Sequence, residues 1–402
     1  MKLLAALIAG LFAASAVSAS VKNDHEIELV RRKMFIKDDN ELDIKALSRH
    51  YKAMNSKYKS MMRNYHHHTG KQHPFLRFLS DLLDSDDDNN NNKDKRSATN
   101  LLLQDVMQEQ LWAGQVTFGG QSFLIDFDTG SADVIVNPGA YDPRKSQSAK
   151  SSGKTFRTSY GDGTTAQGMV YTDDFKIGSL SASNVAVGHS DQTFLDHEGG
   201  NEGIAGMSFS TLSAFPGNYK PFFYSLMEQK SVSHGVFQFT LKKGKGSTLT
   251  LGAVDTSKYS GEPVWSSVNP EQGFWATQAF VNGVKINAIV DSGSTIITGP
   301  IDQVRQVFSK MSGLQTFSQQ GQLFATFDCN SPPDVTMNFA GKDFKFGKDQ
   351  VGYGKQGGRC VLSICGQDQL PMDAWIVGDS FFLGASVIFD MEQNRLGFAP
   401  QK

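Results

Sequence analysis

Two short, similar motifs constrain the fold of this chain more than any other feature. Residues 128–130 read Asp-Thr-Gly and residues 291–293 read Asp-Ser-Gly, and each motif directly follows an apolar run. One such tripeptide occurs by chance in roughly one chain in five of this length. Two copies, 163 residues apart and both after strand-like segments, predict instead that two carboxylates meet and share a proton.

A second, coarser repeat accompanies the motifs. Each motif is followed later in its half by two apolar residues and a glycine, at Ile204-Ala205-Gly206 and at Ile376-Val377-Gly378. The chain is also long enough for two domains with cores of their own. We therefore expect a duplicated architecture in which each half presents one carboxylate to a shared cleft.

The sequence after residue 96 has the texture of a β protein. Short apolar-polar alternations bounded by Gly and Ser occur, for example, at 235–240 and 248–252, and the chain contains 39 Gly and 29 Phe. Such alternation is typical of strands. The pattern predicts a mostly β fold with few helices, for which the candidates are 220–229 and 303–311.

Charge is unevenly distributed along the chain. The totals of 39 basic and 41 acidic side chains argue against a nucleic-acid or membrane-surface partner. Residues 20–80, however, carry 13 Lys and Arg against 7 Asp and Glu, whereas residues 97–402 carry 22 against 28. Six of the nine histidines lie in the basic segment, namely His25, His50, His66, His67, His68 and His73.

The amino terminus predicts a secretory route. Lys2 precedes an apolar stretch at 3–12, and the Val-Ser-Ala at 17–19 is the small-residue pattern of a signal-peptidase site. The stretch is too short and too rich in Ala to cross a bilayer comfortably, and no later segment reaches the roughly 18 apolar residues that a span needs. We expect a signal peptide at 1–19 and no retained membrane anchor.

The basic segment combines a helix with a flexible linker. A spacing of three or four predicts an amphipathic helix through Ile44, Leu47, Tyr51, Met54 and Tyr58. The Asp- and Asn-rich run at 84–92 cannot bury enough apolar surface to order itself. The linker ends at Lys95-Arg96, which we interpret as a processing site for a dibasic-cutting convertase rather than an ordinary solvated charge run.

Three cysteines, Cys329, Cys360 and Cys365, are present. In an oxidising compartment we expect one disulfide and one free thiol, and the sequence leaves all three pairings open. Metal ligation is the alternative, but no histidine is nearby and no Cys-x-x-Cys pair occurs.

Together these motifs resemble those of the pepsin-like aspartic proteases, in particular a fungal, secreted member in its full-length precursor form. The first motif continues to Ser131, the second continues to Ser294 and Thr295, and a Tyr-Gly-Asp-Gly-Thr flap signature follows the first Asp by 32 residues. The resemblance implies a bilobal fold with two pseudo-symmetric β lobes and a cleft between them. It divides the chain into a signal peptide (1–19), an inhibitory propeptide (20–96), an N-terminal lobe (97–255) and a C-terminal lobe (256–402).

The resemblance also assigns roles. It implies that Asp128 and Asp291 form the catalytic pair, that an activated water attacks the peptide bond at acidic pH, and that no metal or other cofactor takes part. The supporting residues of the two loops are then Thr129, Gly130, Ser131, Ser292, Gly293 and Ser294. Of these residues, Thr129 and Ser292 are expected to join the two loops to each other. Ser131 is expected to hydrogen-bond the Asp128 carboxylate.

The flap carries the specificity hypothesis. The resemblance implies that Tyr160, Gly161, Asp162 and Gly163 fold over the substrate, next to hydrophobic P1 and P1′ residues. A carboxylate at Asp162 facing the P1 pocket is expected to accept a substrate Lys, and the alternative is a solvent-facing turn residue.

Two departures from the family pattern stand out. Ile135 occupies the position where the family usually has a Trp that hydrogen-bonds the flap tyrosine, which puts in doubt how Tyr160 is held. The first lobe has no cysteine, and in the second lobe the family pairing falls on Cys329 and Cys360, leaving Cys365 free.

The propeptide is expected to block the dyad. Lys57-Tyr58 matches the Lys-Tyr pair of related zymogens, and acidification should release it by protonating carboxylates and charging histidines. We interpret 66–68 (His-His-His) as a pH-sensitive charge cluster rather than a metal site. The expected partners are protein and peptide substrates, pepstatin-type inhibitors and the chain's own propeptide, and the enzyme is expected to be a monomer, secreted or alternatively vacuolar.

Two other functions remain open at this stage. A catalytically inactive relative would act as a binding module, and an all-β carbohydrate-binding protein would explain the strands but not the paired motifs. Acid-dependent, pepstatin-sensitive peptide cleavage distinguishes the three.

Overall fold

The computed structural model describes residues 26–31, 41–77, 112–159, 165–194, 202–243 and 246–402. The predicted signal peptide, the Asp- and Asn-rich linker, the processing site at Lys95-Arg96 and the flap residues Tyr160, Gly161, Asp162 and Gly163 lie outside the described residues.

Strands dominate the described part of the chain, which confirms the mostly β prediction. The strands are β1 Glu26–Arg31, β2 Trp112–Phe118, β3 Gln121–Asp128, β4 Val134–Val136, β5 Lys150–Ser159, β6 Thr165–Ile177, β7 Leu180–Ser190, β8 Gly203–Gly206, β9 Val236–Thr240, β10 Ser247–Leu251, β11 Val264–Ser267, β12 Ala276–Val281, β13 Val284–Val290, β14 Ile297–Pro300, β15 Gln315–Gln319, β16 Gln322–Phe327, β17 Thr336–Phe339, β18 Lys342–Lys345, β19 Gly352–Gln356, β20 Arg359–Leu362, β21 Ile364–Gln367, β22 Trp375–Val377, β23 Ala385–Asp390 and β24 Arg395–Pro400.

Helices are few. The α-helices are α1 Ile44–Thr69, α2 Phe222–Glu228, α3 Ile301–Ser309, α4 Lys348–Val351 and α5 Asp379–Phe382, and short 3-10 turns cover Pro143–Lys145, Ser210–Leu212, Thr256–Lys258 and Pro270–Gln272. The predicted helices at 220–229 and 303–311 correspond to α2, which is shorter at both ends, and to α3, which begins and ends two residues earlier. Within the described residues, no helix has both the length and the apolar content that crossing a bilayer requires.

The strands form two large sheets. The first has 13 strands in the order β11-β24-β23-β9-β10-β1-β2-β3-β8-β4-β7-β6-β5, and the second has the order β18-β17-β12-β13-β22-β14-β21-β16-β20-β19, with β15 on β16. Strands from the end of the chain, β23 and β24, thus extend the sheet of the first half. The lobe boundary at 255/256 stays a prediction.

The internal repeat has a structural basis. In each half an antiparallel pair, β2–β3 or β12–β13, ends in an Asp-x-Gly motif and is flanked by a parallel strand, β8 or β22. Asp128 stands opposite Gly206, and Val290 stands opposite Val377. A Cβ atom on Gly206 would overlap the backbone of Ala132. A Cβ atom on Gly378 would overlap the carbonyl of Ser294, so each triplet needs its glycine to pass directly behind a motif loop.

The amphipathic helix is present and longer than the pattern predicted. The Asp43 side chain accepts a hydrogen bond from Ala46 N at 2.9 Å and caps the start of α1. Gly70, with φ of +66°, ends the helix in the left-handed conformation that glycine adopts without strain. The apolar side of α1 belongs to one core cluster together with residues of the second half of the chain, including Ile289, Phe324 and Tyr353.

The segment before the linker also contributes to the first sheet. Strand β1 lies between β2 and β10 and pairs antiparallel with both. Its removal would leave the facing edges of β2 and β10 without their partner. The basic segment is therefore anchored to the rest of the chain at two places, through β1 and through α1.

Candidate active site

The two Asp-x-Gly loops meet at the centre of the molecule. Asp128 is 3% exposed and Asp291 is fully buried. Each carboxylate accepts a hydrogen bond from the backbone N–H of the glycine two residues later. Gly130 N donates to Asp128 and Gly293 N donates to Asp291, both at 2.9 Å. A Cβ atom built on Gly130 would lie 2.5 Å from the Asp291 Cγ atom, and one on Gly293 would collide with the Asp128 carboxylate. Each carboxylate therefore packs against the glycine of the other loop.

A reciprocal pair of hydrogen bonds joins the loops. Thr129 N donates to Ser292 Oγ at 3.1 Å, and Ser292 N donates to Thr129 Oγ1 at 2.9 Å. The two hydroxyls donate onward to the backbone, Thr129 to Val290 O at 3.0 Å and Ser292 to Phe127 O at 2.7 Å. All four groups are buried, so the brace holds the two carboxylates at a fixed separation.

The next serine in each loop differs in its contacts. Ser294 Oγ donates to Asp291 Oδ2 at 2.7 Å. Ser131 is close enough to lower the pKa of Asp128, but within the described residues its hydroxyl makes no hydrogen bond of regular geometry. The expected bond from Ser131 to Asp128 stays a prediction.

The basic helix places two side chains on the carboxylates. Lys57 Nζ lies 3.0 Å from both oxygens of Asp128 and 3.4 Å from Asp291 Oδ2. The Tyr58 hydroxyl donates to Asp291 Oδ2 at 2.6 Å. Lys57 is 6% exposed and Tyr58 is fully buried. The ammonium and the phenol thus occupy the space next to both carboxylates.

The pKa values of the two carboxylates are shifted in opposite directions. Burial raises the pKa of Asp128 to about 6 against the opposing effect of Lys57, and the neighbouring Asp291 raises it further. Burial also opposes the ionisation of Asp291, but Lys57 and hydrogen bonds with Asp128, Tyr58 and Ser294 lower its pKa to about 2. Burial would lower the pKa of Lys57, yet the two carboxylates raise it. Asp128 is therefore the carboxylate that acquires a proton first on acidification.

Helix α1 is attached to both sides of the site. On one side, Leu42 N donates to Lys355 O at 2.6 Å. On the other, Asn64 Nδ2 donates to Leu212 O at 3.0 Å, and Ser60 Oγ lies 3.5 Å from Thr158 Oγ1 on β5. Because α1 crosses directly over the carboxylates, it excludes a peptide from them in this arrangement.

The segment after α1 continues the contact in an extended form. Asp373 N donates to Phe75 O at 2.8 Å, and Arg77 N donates to Pro371 O at 3.0 Å. His73, which the sequence analysis grouped with the other histidines, is only 3% exposed. These docking residues carry no sequence motif, and no sequence signal identifies them.

Ile135 belongs to the apolar core beneath β5. It is 1% exposed and clusters with Phe156 of β5 and with Phe215. The rings of Phe156 and Phe215 meet edge to face with centroids 5.3 Å apart. Both rings also pack on Gly188, where a Cβ atom would lie 2.8 Å from Phe156. Ile135 is therefore a core residue, in one cluster with two Phe rings that also pack on a glycine.

The cysteines pair as the resemblance implied. Cys329 and Cys360 form a disulfide, and Cys365 is a buried free thiol. Burial raises the pKa of Cys365, which opposes thiolate formation. Among the described residues, no group of three His, Cys, Asp or Glu side chains is arranged to hold a metal ion.

Two buried, braced carboxylates on a two-sheet β fold are the arrangement on which aspartic proteases rely. The eukaryotic aspartyl protease family model matches residues 112–401. The chain is 49% identical over 385 residues to Secreted aspartyl protease 1 of Malassezia globosa, covering 96% of this chain and 95% of that protein. It is 32% identical to an aspartic protease of Phaffia rhodozyma (76% of this chain, 80% of that protein) and 30% identical to penicillopepsin-1 of Penicillium janthinellum (71% and 94%). The chain belongs to the eukaryotic aspartyl protease family and is an aspartic-type endopeptidase.

We predict that Thr129→Val destabilises the protein by about 2 kcal/mol or more, because it leaves a buried N–H and a buried carbonyl without their partner. Urea unfolding of the full chain measures the loss. Thr117→Val is the control, because the Thr117 hydroxyl bonds Ser122 at an exposed site and its removal should cost less than about 0.5 kcal/mol. Equal losses in the two variants would show that the brace carries no special weight.

Proposed function

We propose that the chain is the latent precursor of an acid-active endopeptidase whose catalytic pair is Asp128 and Asp291. The observation that carries this proposal is the contact of Lys57 with both carboxylates, together with the hydrogen bond from Tyr58 to Asp291. An ammonium at this place compensates one of the two negative charges and, together with the Tyr58 phenol, fills the volume that a catalytic water needs. The segment at 20–96 acts as the propeptide.

Removal of the propeptide leaves two carboxylates that cannot both ionise cheaply, and aspartic-protease dyads are the standard case of such sharing. The ionised carboxylate acts as general base on a water that attacks the scissile carbonyl. The protonated partner donates to the carbonyl oxygen and later helps to protonate the leaving amine. Thr129 and Ser292 keep the two groups within reach of each other during the reaction.

Acid weakens the block at its centre. As pH falls through about 6, Asp128 takes up a proton and Lys57 loses one of its two anionic partners. The attraction between α1 and the site is therefore present at neutral pH and declines in acid. Cleavage after Arg96 by a convertase, or by the enzyme itself, would make the release irreversible.

The surface under α1 supports a preference for apolar substrates. The side chains that the helix covers include Phe274, Phe324 and Met372, which suit hydrophobic residues at P1 and P1′. Asp162 in the flap adds acceptance of Lys at P1. Secretion is supported by the predicted signal peptide and by the similarity to Secreted aspartyl protease 1 of Malassezia globosa.

We predict that the purified precursor hydrolyses peptides at about pH 4 and that Asp291→Asn abolishes this activity by at least 1,000-fold, as expected for loss of a catalytic group (roughly the scale of removing one essential residue). Pepstatin should inhibit the wild type. The control is Asp343→Asn, an exposed carboxylate on β18. If wild-type protein freed of its propeptide is inactive, the chain is a binding module rather than an enzyme.

For specificity, we predict that Asp162→Thr abolishes cleavage after Lys and spares cleavage after Phe, because only the charged side chain gains from the carboxylate. Values of kcat/KM on paired peptides measure the change. Asp174→Thr, in β6 of the same hairpin, is the matched control and should leave both rates unchanged. Equal loss for the Lys and Phe peptides would contradict a role in P1 selection.

A further inference from the structure

We propose that His73 is an acid-sensitive latch: its neutral imidazole bonds the propeptide to the mature part, and protonation of that ring releases the segment. This inference deepens the proposed function, on which it rests, and concerns a residue remote in sequence from Lys57 and Tyr58. It singles out one histidine among those of the basic segment whose side chains the structure describes.

Both ring nitrogens of His73 are engaged, Nε2 across the interface and Nδ1 within the segment that carries His73. Nε2 lies 2.8 Å from Gln272 O, and Nδ1 lies 3.1 Å from Phe75 N. A backbone carbonyl only accepts and a backbone N–H only donates. The ring must therefore carry its proton on Nε2 and keep Nδ1 free as an acceptor. A second proton on Nδ1 removes the bond from Phe75 N and sets two donors against each other.

The walls around the ring are apolar. Tyr65 meets it edge to face at 4.8 Å, Phe274 does so at 5.2 Å, and Phe75 is tilted against it at 5.3 Å. With only 3% of His73 exposed, solvent has little access to an imidazolium in this position. Burial of a charge without a carboxylate partner is strongly unfavourable.

Charged residues on the neighbouring elements offer no compensation. Glu271 lies in the 3-10 turn that supplies Gln272, and the backbone of Asp373 bonds Phe75. Lys71 and Arg77 flank His73 in its own segment. None of them contributes to the pKa of His73, which burial lowers to about 4 against a small opposing effect of the Gln272 carbonyl. The environment favours the neutral ring on every side.

The sign of the pH effect follows from this lowered pKa. A histidine that is neutral when docked and titrates normally near 6.5 when released stabilises docking above pH 6.5 and opposes it below. Between its free value of 6.5 and its docked value of about 4, docking weakens progressively, by about 30-fold at pH 5 and up to about 300-fold below pH 4.

The other described histidines of this segment lack this property. His66 Nδ1 lies 3.2 Å from Lys71 O, and His68 Nε2 lies 2.9 Å from Ser213 O. Each presents one nitrogen to a carbonyl, and a charged ring donates to that carbonyl as well as a neutral ring does. His67 is exposed. Charging 66–68 therefore breaks no bond, in contrast to charging His73.

The test uses the full-length precursor and His73→Gln, whose side-chain amide keeps a donor and an acceptor but takes no proton. The docking constant is measured from amide-exchange protection of α1 between pH 6.5 and 4, corrected for intrinsic exchange and taken before any cleavage is visible by intact mass. His67→Gln is the control. From pH 7 to pH 5, we expect the docking constant of the wild type and of the control to fall about 30-fold more than that of His73→Gln. We also expect release of the segment to take up about one proton fewer in His73→Gln than in the wild type.

A second variant, His73→Phe, retains the aromatic packing without a titratable group. Each protein is compared with its own value at pH 7, so weaker basal docking in either variant does not affect the proton count. Unchanged proton uptake in both variants would overturn the latch. Amide exchange requires no catalysis, so the experiment can be interpreted even if the proposed enzymatic function is wrong. If the enzyme is active but proton uptake is unchanged in the variants, the latch alone is refuted.

Discussion

Two carboxylates can stay buried side by side only when other groups compensate their charge, and much of this structure serves that requirement. Asp128 and Asp291 receive backbone N–H groups from the glycines two residues on. Their loops are joined through Thr129 and Ser292, and Lys57 of α1 supplies a positive charge. Each sheet carries one motif at the end of an equivalent strand. The duplicated fold therefore explains why the carboxylates occur as a pair.

In the proposed scheme the basic segment is part of the folded architecture as well as an inhibitor of the cleft. Strand β1 lies inside the first sheet, α1 lies over the carboxylates, and the segment around His73 pairs with the second half. These contacts differ in their response to acid. The ion pairs of Lys57 depend on ionised carboxylates, the His73 contacts depend on a neutral imidazole, and the ladder bonds of β1 depend on neither. In the proposed scheme, acid therefore opens the cleft while the β1 strand is still paired.

Local features of the sequence predicted the strands, the helix α1 and the meeting of the two motifs, because alternation, 3–4 spacing and tight glycine turns act over a few residues. The resemblance to a family singled out Lys57, Tyr58 and the disulfide. Neither predicted the place of β1 in the sheet or the burial of His73, since both depend on partners that are distant in sequence, such as β10 for β1 and Gln272 for His73. The environment of Ile135 likewise required Phe156 and Phe215, which the fold alone brings together.

The most direct test of the account is pepstatin binding to the uncleaved precursor as a function of pH, for the wild type beside Lys57→Met. If the ammonium holds the site closed, the wild type should bind pepstatin only below about pH 6, where Asp128 acquires its proton. Lys57→Met should then bind it at neutral pH as well, because Met keeps the length of the side chain but leaves the carboxylates without their counter-charge. A Lys57→Met precursor that stays as closed as the wild type across the whole range would contradict the central role of this charge.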